Sequence, residues 1–585
     1  MRRFFLLVCL WSCSISMYSN PLVSQEMIPL SSAVYADMDT LYLFQGIGSP
    51  SNSRPWSKTE ANLILSRIGR ERLPVVMQTM YDRVAAAIEP GLQFPFDEDF
   101  RFGADAVVNI ESYYHSNAGY DLESDWVHGF EERRPLLKLA LDFTLLDFLY
   151  VYCDIQYGRN RVNHLDQLSP FPAIGVGAVI GPRDDSLSQS QEDIQKDILE
   201  RGWYVTHSEI FSQLFLTNVF EYAYDFDFQW PKRAVASVGG SHWNFSIARD
   251  KINWGNGHSG DFVIDDHVDY HEYARFVAFS KRFKYEWLNV FFETNPSPEE
   301  APDTKFRVFM AHRLEYRLLD WITLAVSENV MYQNTVFDFR YLNPAFVYHN
   351  FNNRSMLNAI AHVELDFAFV EGLNVYAQYV MDQARAPYEA AVQADAMGFL
   401  AGAEYTTVVG PGVLEMSLEH VLTSPALYRR DGIDFLMFRK YFNHSATERL
   451  GYVVDLDFLG YPYGGDAQVL QWDVSYRIVD LGTVALRVFG MRHGEMDMFE
   501  PHDSDGGNLG YVAYRGTTPS GNTVAETLMV SLSGEFRLPG FTDWMEANLW
   551  ARLDWVGRRS YDKSAGAYGD VSNDIQFCAG FSLSL

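Results

Sequence analysis

Apolar and polar side chains alternate residue by residue in one segment of this chain after another. At the end of the chain one set of alternate positions is entirely apolar, while the residues between are small or polar; the apolar set is Ile575, Phe577, Ala579, Phe581, Leu583 and Leu585. A period of two predicts a β-strand with one face against an apolar phase and the other against water or a small-residue interior.

The same alternation occurs upstream with charges on the second face. Between 361 and 369, apolar residues interleave with His362, Glu364 and Asp366, and a Glu371-Gly372 turn leads into a second alternating segment, so the pattern predicts a hairpin. Charges at every second position need water on that face. The strands are therefore predicted to separate an apolar exterior from a wet interior.

Counting such segments from about residue 100 to the end of the chain predicts roughly eighteen strands, an even number in the porin range. No run of eighteen apolar residues follows the N-terminus, so a membrane role would depend on strands. The predicted fold is an all-β transmembrane barrel of about eighteen antiparallel strands with a small N-terminal α-helical periplasmic module. A soluble sandwich or propeller would also alternate, but it would bury its apolar faces against a second layer.

The N-terminus has the order of a secretory signal peptide: Arg2 and Arg3, an apolar run from Phe4 to Trp11, and small polar residues through Ser19. A lipobox around Cys13 is the alternative, disfavoured by the bulky Trp11 and the short apolar run. The predicted domains are a signal peptide at 1–19, a helical periplasmic module at 20–95 and an outer-membrane barrel at 96–585.

Three helices are predicted in the module. Ser57 and Glu60 have capping-box spacing at the start of one helix, a second runs from about Pro74 to Ile88, and a short one covers Val34 to Leu43.

Composition and charge agree with a barrel. Aromatic residues make up 15% of the chain while the mean hydropathy is only −0.15. The net charge of −30 disfavours nucleic acid or an anionic membrane surface as a partner. Cys153 falls on the apolar face of its segment and Cys578 on the polar face, so the two are predicted to be free thiols.

Short motifs in a fixed order resemble the Wzi-type capsule assembly family of outer-membrane proteins. They are Pro29-Leu30, Val34-Tyr35, Asp39, Leu41, Arg54-Pro55-Trp56, Glu60, Ile247-Ala248-Arg249-Asp250, Asn253-Trp254-Gly255-Asn256-Gly257, His312-Arg313-Leu314, Ser327-Glu328-Asn329, Leu342-Asn343-Pro344, Tyr376-Ala377-Gln378-Tyr379 and Asp382. The resemblance spans 28–382. It implies an outer-membrane location and a barrel that binds capsular polysaccharide at the cell surface and helps to organise it, without catalysis.

The expected partners are outer-membrane lipid, surface polysaccharide and, during biogenesis, the barrel-assembly machinery, with no nucleic acid. The last strand is similar to the C-terminal assembly signal of such barrels, although Leu585 stands where an aromatic residue is usual. No cofactor is expected.

Aromatic rings and directed polar groups are the usual elements of a carbohydrate site. Such residues cluster around one predicted loop, and the candidate carbohydrate-binding residues are Trp243, Asp250, Asn253, Trp254, Asn256 and Asp261. The alternative interpretation places Trp243 in an interfacial aromatic girdle and assigns Gly255 and Gly257 only the shaping of a turn.

Other function classes receive less support from the sequence. Histidines and aspartates between His258 and His271 lack metal-ligand spacing, so Asp265, Asp266 and Asp269 are predicted to form a solvated acidic loop, and no metal is expected. No GxSxG signature is present, His362 is interpreted as one polar residue of the interior, and no enzymatic activity is predicted. The remaining alternative is a passive channel for small solutes or cations, because an acidic lumen favours cations.

Overall fold

The computed structural model describes most of the chain after the predicted signal peptide, which lies outside the described residues. The described ranges are 24–89, 94–95, 99–120, 125–129, 132–157, 178–180, 215–219, 228–229, 231–292, 306–334, 340, 343, 345, 347–348, 357–383, 395–429, 433–442, 452–496, 498, 517–538 and 545–584.

Within these ranges, eighteen antiparallel strands close into one barrel, so the predicted fold class is confirmed. They are β1 (Phe100–His115), β2 (Leu137–Leu145), β3 (Leu149–Tyr157), β4 (Ala234–Gly240), β5 (Trp243–Asp250), β6 (His271–Phe279), β7 (Phe283–Phe292), β8 (Phe306–Leu319), β9 (Ile322–Asn334), β10 (Leu357–Val370), β11 (Leu373–Gln383), β12 (Ala396–Val409), β13 (Gly412–Thr423), β14 (Ala467–Ile478), β15 (Gly482–His493), β16 (Thr523–Arg537), β17 (Glu546–Asp562) and β18 (Ser572–Ser584).

The final strand closes the barrel. β18 pairs with β17 on one side and with β1 on the other, in a register that places Phe581 opposite Ile110. Its outward residues Ile575 and Phe577 are exposed, whereas Gln576 and Cys578 are buried against the interior. The alternation in the sequence therefore does separate an apolar outer wall from a polar lumen.

Consecutive strands are joined by short turns at one end of the barrel, which we call the short-turn end, and by longer segments at the other, the long-loop end. Gly372 lies in one short turn at φ +79°, where an added Cβ would lie 2.5 Å from the Thr406 carbonyl oxygen. In outer-membrane barrels the short turns face the periplasm. The long-loop end is accordingly the extracellular one.

Three α-helices precede the barrel, as predicted: α1 (Ala33–Phe44), α2 (Lys58–Leu65) and α3 (Val75–Ile88). The Ser57 side chain caps α2 by accepting a hydrogen bond from the Glu60 backbone N–H. The helices share a core that includes Met38, Met77 and Val413, the last from the start of β13. This helical module, residues 24–89, is thus packed against the short-turn end. None of its helices is both long and apolar enough to cross a bilayer.

Both described cysteines are free, as predicted. Cys153 lies on the outward face of β3, where its neighbours Tyr152 and Asp154 point inward and are buried. Cys578 is fully buried on the inward face of β18.

Three short strands form a separate sheet that is not part of the barrel wall: Ala178–Ile180, Leu436–Phe442 and Tyr452–Phe458. The other short strands are Ser53–Arg54, Phe94–Pro95, Phe215–Thr217, Phe228–Gln229, Asn253–Trp254 and Ala567–Tyr568.

Candidate functional site

The segment between β5 and β6, residues 251–270, enters the barrel from the long-loop end, and we call it the inward loop. A segment of the helical module enters the barrel from the short-turn end. The two meet inside the lumen as a two-stranded antiparallel sheet, with Ser53 opposite Trp254 and Arg54 opposite Asn253. Backbone pairing satisfies polar groups that would otherwise be left unpaired in an enclosed space.

The segment from the helical module is bound to inward side chains of the barrel wall. Asn52 donates to Glu364 at 2.7 Å and to Asp366 at 3.0 Å. Arg317 donates to the Gly48 and Ser49 carbonyl oxygens at 2.6 Å each. Hydrogen bonds to charged groups are stronger than neutral ones, so these contacts hold the segment firmly across the lumen.

A fully buried ion pair lies behind this two-stranded sheet in the lumen. Arg275 of β6 donates to both carboxylate oxygens of Glu286 of β7, at 2.5 and 2.8 Å. The remaining guanidinium hydrogen bonds reach the Pro55 carbonyl oxygen and the Ser53 hydroxyl. Glu286 also accepts from the Trp254 indole N–H at 2.8 Å. One carboxylate therefore joins the wall, the helical module and the inward loop.

The next residues of the inward loop are anchored on side chains of β10, β11 and β13. The His258 and Ser259 backbone N–H groups donate to the two oxygens of Glu419, both at 2.8 Å. Asn256 donates to Asp366 at 2.9 Å and accepts from Gln378 at 3.0 Å.

Gly255 and Asp261 shape the turn in this loop. Gly255 has φ +148°, and an added Cβ would overlap the Asp261 carboxylate and lie 2.7 Å from Gln378 Nε2. Asp261 accepts from the Gly257 backbone N–H at 2.9 Å and from Gln378. Burial, together with the charge of Asp265, raises the pKa of Asp261 well above its usual value.

A polar cavity of about 200 Å³ remains where the helical module, the inward loop and the wall meet. It is lined mainly by amide and charged side chains: Asp39, Ser49, Asn52, Arg54, Asn253, Asn256, His258, Asn374 and Glu404. Arg54 pairs with Asp39 at 2.7 Å, and His258 pairs with Glu404 at 3.2 Å. The two ion pairs balance, so the lining suits a neutral, hydrogen-bonding guest.

Three polar atoms of this lining are buried without a hydrogen-bond partner in the protein: Arg54 Nε, Asn253 Oδ1 and Asn374 Oδ1. Leaving such groups unsatisfied costs about 1–3 kcal/mol each. The side chains of Asp39 and His258 are 38% and 35% exposed, so solvent reaches the cavity. The cavity can hold several waters or the hydroxyl groups of a small polar ligand.

The six predicted site residues do not converge on one site. Asn253 and Asn256 line the cavity. Trp254 is fully buried with its indole N–H bound to Glu286, so its ring offers no face to a ligand. Asp261 is buried behind Gly255, and Asp250 is bound to Arg233 at 2.9 Å.

Trp243 is separate from the other five. It begins β5 at the short-turn end and is 41% exposed on the outer wall, where its ring lies 6.5 Å from that of Phe276. This position is that of an interfacial aromatic residue, so Trp243 is not part of the luminal site.

Sequence reasoning missed seven polar residues of the cavity lining: Asp39, Ser49, Asn52, Arg54, His258, Asn374 and Glu404. Asp39 and Arg54 belong to the motifs that carry the family resemblance, which is a weak signal. Asn374 and Glu404 are inward positions of ordinary alternating strands, and nothing local distinguishes them.

The prediction of a solvated acidic loop is wrong for Asp265 and Asp269. Both are buried, because the loop folds inward and finds cations there. Asp265 pairs with His267 at 2.7 Å, and Asp269 pairs with Lys232. Among the residues that the structure describes, no group of three or more His, Cys, Asp or Glu side chains is arranged around a metal position.

Two histidines of the inward loop are held in their charged form. Burial opposes the charge of His258, but the hydrogen bond and charge of Glu404 raise its pKa to about 9. Burial likewise opposes the charge of His267, and Asp457 and Asp265 raise its pKa to about 10. Because both values lie above the ordinary 6.5, their stabilisation is complete below about pH 6.5 and is lost as pH rises through 9 to 10.

We therefore expect the inward loop to loosen in alkali. Between pH 7 and 10.5 the detergent-solubilised protein should lose melting temperature and become cleavable within 251–270. The double variant His258→Gln, His267→Gln should be less stable at pH 7 and show a flatter pH profile. If the wild type and the double variant lost stability with pH in the same way, the assignment of this pH dependence to His258 and His267 would be contradicted.

The fold is similar to that of solved outer-membrane proteins. Wzi of Escherichia coli, an outer-membrane protein involved in group 1 capsule assembly and a carbohydrate-binding β-barrel, has 11% sequence identity; the match covers 95% of this chain and 98% of that chain, with a TM-score of 0.51. OccK5 of Pseudomonas aeruginosa has 9% identity over 84% of this chain and 100% of that chain, with a TM-score of 0.35. The OprD structure of the same organism has 11% identity over 83% and 95%, with a TM-score of 0.35.

The sequence itself matches no protein-family model and no curated protein. The closed barrel with its apolar outer wall, a fold that it shares with Wzi, is that of an outer-membrane protein.

Proposed function

We propose that this protein is a plugged outer-membrane barrel that binds surface polysaccharide of the capsular type and aids its assembly, without catalysing a reaction. The observation that carries the proposal is the junction in the lumen, where Ser53–Arg54 of the helical module pairs with Asn253–Trp254 of the inward loop. A diffusion channel needs a continuous water path, and a sheet held across the lumen by buried ion pairs favours a binding protein instead.

The polar cavity beside that junction is the proposed sugar site. Sugar hydroxyls both donate and accept, and the cavity offers the Asn253 and Asn374 amide oxygens together with the Arg54 Nε–H group. In this arrangement Asn253 and Asn256 contact the glycan, while Asp250, Trp254 and Asp261 position the loop. The likeness in fold to Wzi, and the order of the motifs shared with its family, support the same ligand class.

A glycan array with the folded, detergent-solubilised protein tests this proposal. We expect saturable binding to a bacterial surface polysaccharide and at least about a tenfold loss in the double variant Asn253→Ala, Asn256→Ala, since each lost pair of hydrogen bonds costs about 1 kcal/mol or more. Trp243→Ala, on the outer wall, is the matched control and should bind normally. Equal binding by both variants would place the site elsewhere, and no binding to any glycan would reject the proposal.

Conductance in planar bilayers tests the alternative function. We expect the wild-type protein to be silent. Steady conductance would favour a passive channel for small solutes or cations over a plugged binding protein.

A further inference from the structure

The outer wall carries a groove at the long-loop end that the proposed function does not use. Two glycines lie at outward positions, Gly490 on β15 and Gly557 on β17, on either side of β16. The register places Leu470 opposite Gly490, Gly490 opposite Leu528 and Leu528 opposite Gly557. Leu470 and Leu528 are 53% and 44% exposed, and the Trp555 ring leans over Gly557. We call this depression, with a volume of about 660 Å³, the outer groove.

At Gly490 the groove is open space rather than a packing requirement for glycine. A Cβ added at Gly490 would meet only the Leu470 carbonyl oxygen, at 3.9 Å. A groove with apolar walls on the outer face of a barrel lies against hydrocarbon, where acyl chains are the available occupants.

A row of polar side chains borders the groove one step nearer the long-loop end. Arg492 and Arg559 both pair with Glu526, at 3.1 and 2.8 Å, and Gln468 lies opposite Arg492 in the register. The two arginine side chains are 45% and 41% exposed. Two guanidinium groups share one carboxylate, so the row keeps one unbalanced positive charge on a chain whose net charge is −30.

We propose that the outer groove binds a phosphorylated, acylated sugar lipid of the lipid A type. The long-loop end faces the outside of the cell, so the groove lies in the outer leaflet and the polar row lies at headgroup level. Guanidinium groups bind phosphate through paired hydrogen bonds. Glu526 and Gln468 add acceptors and donors for sugar hydroxyls, which a simple phospholipid headgroup would use less fully.

Native mass spectrometry of the detergent-purified protein, titrated with lipid A and in a parallel arm with phosphatidylglycerol, tests this proposal. We expect saturable lipid A adducts and weaker binding of phosphatidylglycerol. The double variant Arg492→Gln, Arg559→Gln should weaken lipid A binding by about tenfold or more, because each arginine near a charged headgroup contributes about fivefold. Gly490→Leu should weaken it as well, by filling the groove from a position with room for the side chain.

Two matched variants control for the loss of any outer-wall arginine and for added bulk anywhere on the outer wall. Arg249→Gln removes an outer-wall arginine that pairs with Glu272 on β6, away from the groove. Ala551→Leu adds bulk of the same kind, one carbon less than Gly490→Leu, to exposed outer wall nearer the short-turn end of β17. Both should bind lipid A like the wild type. Equal lipid A binding by all variants, or phosphatidylglycerol binding as tight as that of lipid A, would overturn the proposal. Neither result depends on whether the lumen binds a glycan.

Discussion

Replacing Glu286 with alanine is expected to release the segment of the helical module from the lumen while the barrel stays closed. The Glu286 carboxylate accepts hydrogen bonds from Arg275, Trp254 and Ser53, so its removal breaks the connection between wall, module and inward loop in one step. It also leaves the Arg275 guanidinium buried without its counter-ion. Breaking a buried pair in this way costs about 3–5 kcal/mol.

The expected readouts are steady conductance in planar bilayers and protease cleavage within residues 24–89, both absent from the wild type. Glu272→Ala is the matched control on the neighbouring strand. Glu272 is 51% exposed on the outer wall and pairs with Arg249, and such exposed pairs contribute only about 0–1 kcal/mol. A silent, protease-resistant Glu286→Ala protein would show that the plug is held by other contacts.

The barrel could be predicted from the sequence because its main signal is local. The alternation within each strand indicates which face contacts lipid: on β18, Ile575 is apolar and Gln576 is polar. Turn residues mark the hairpins, as Gly372 does between β10 and β11. The three helices are predictable for the same reason, since each helix carries its own local signal, such as the Ser57 cap of α2 and the apolar spacing within α3.

The interior could not be predicted in the same way, because its contacts join distant parts of the chain. The pairing of Arg54 with Asn253 depends on a loop folding inward, and nothing near residue 253 shows that direction. Asp269 looks like a solvated acid until Lys232 is placed beside it, and His267 is held by Asp457 from beyond β13. Charges that are compensated from a distance look unpaired in the sequence.

Replacing Gly255 with valine is expected to displace the inward loop from its position in the lumen without removing any charge. At φ +148° a residue with a Cβ is strained, by about 1–3 kcal/mol. The added side chain would also overlap the Asp261 carboxylate and crowd Gln378, and such overpacking costs typically about 1–3 kcal/mol more. Displacing Asp261 would break its bonds to Gly257 and Gln378, so the cavity should lose its shape.

The variant Gly566→Val separates the effect of backbone strain from the effect of side-chain overlap. Gly566 also has a positive φ, +61°, but it lies in an exposed turn where an added Cβ would meet nothing within 4 Å. We expect Gly255→Val to lower the melting temperature clearly, to admit protease to 251–270 and to abolish glycan binding, while Gly566→Val pays only the local strain and keeps the loop seated. Equal, small effects of the two substitutions would mean that the inward loop can rearrange around Gly255, and that its seat in the lumen is not fixed by the turn.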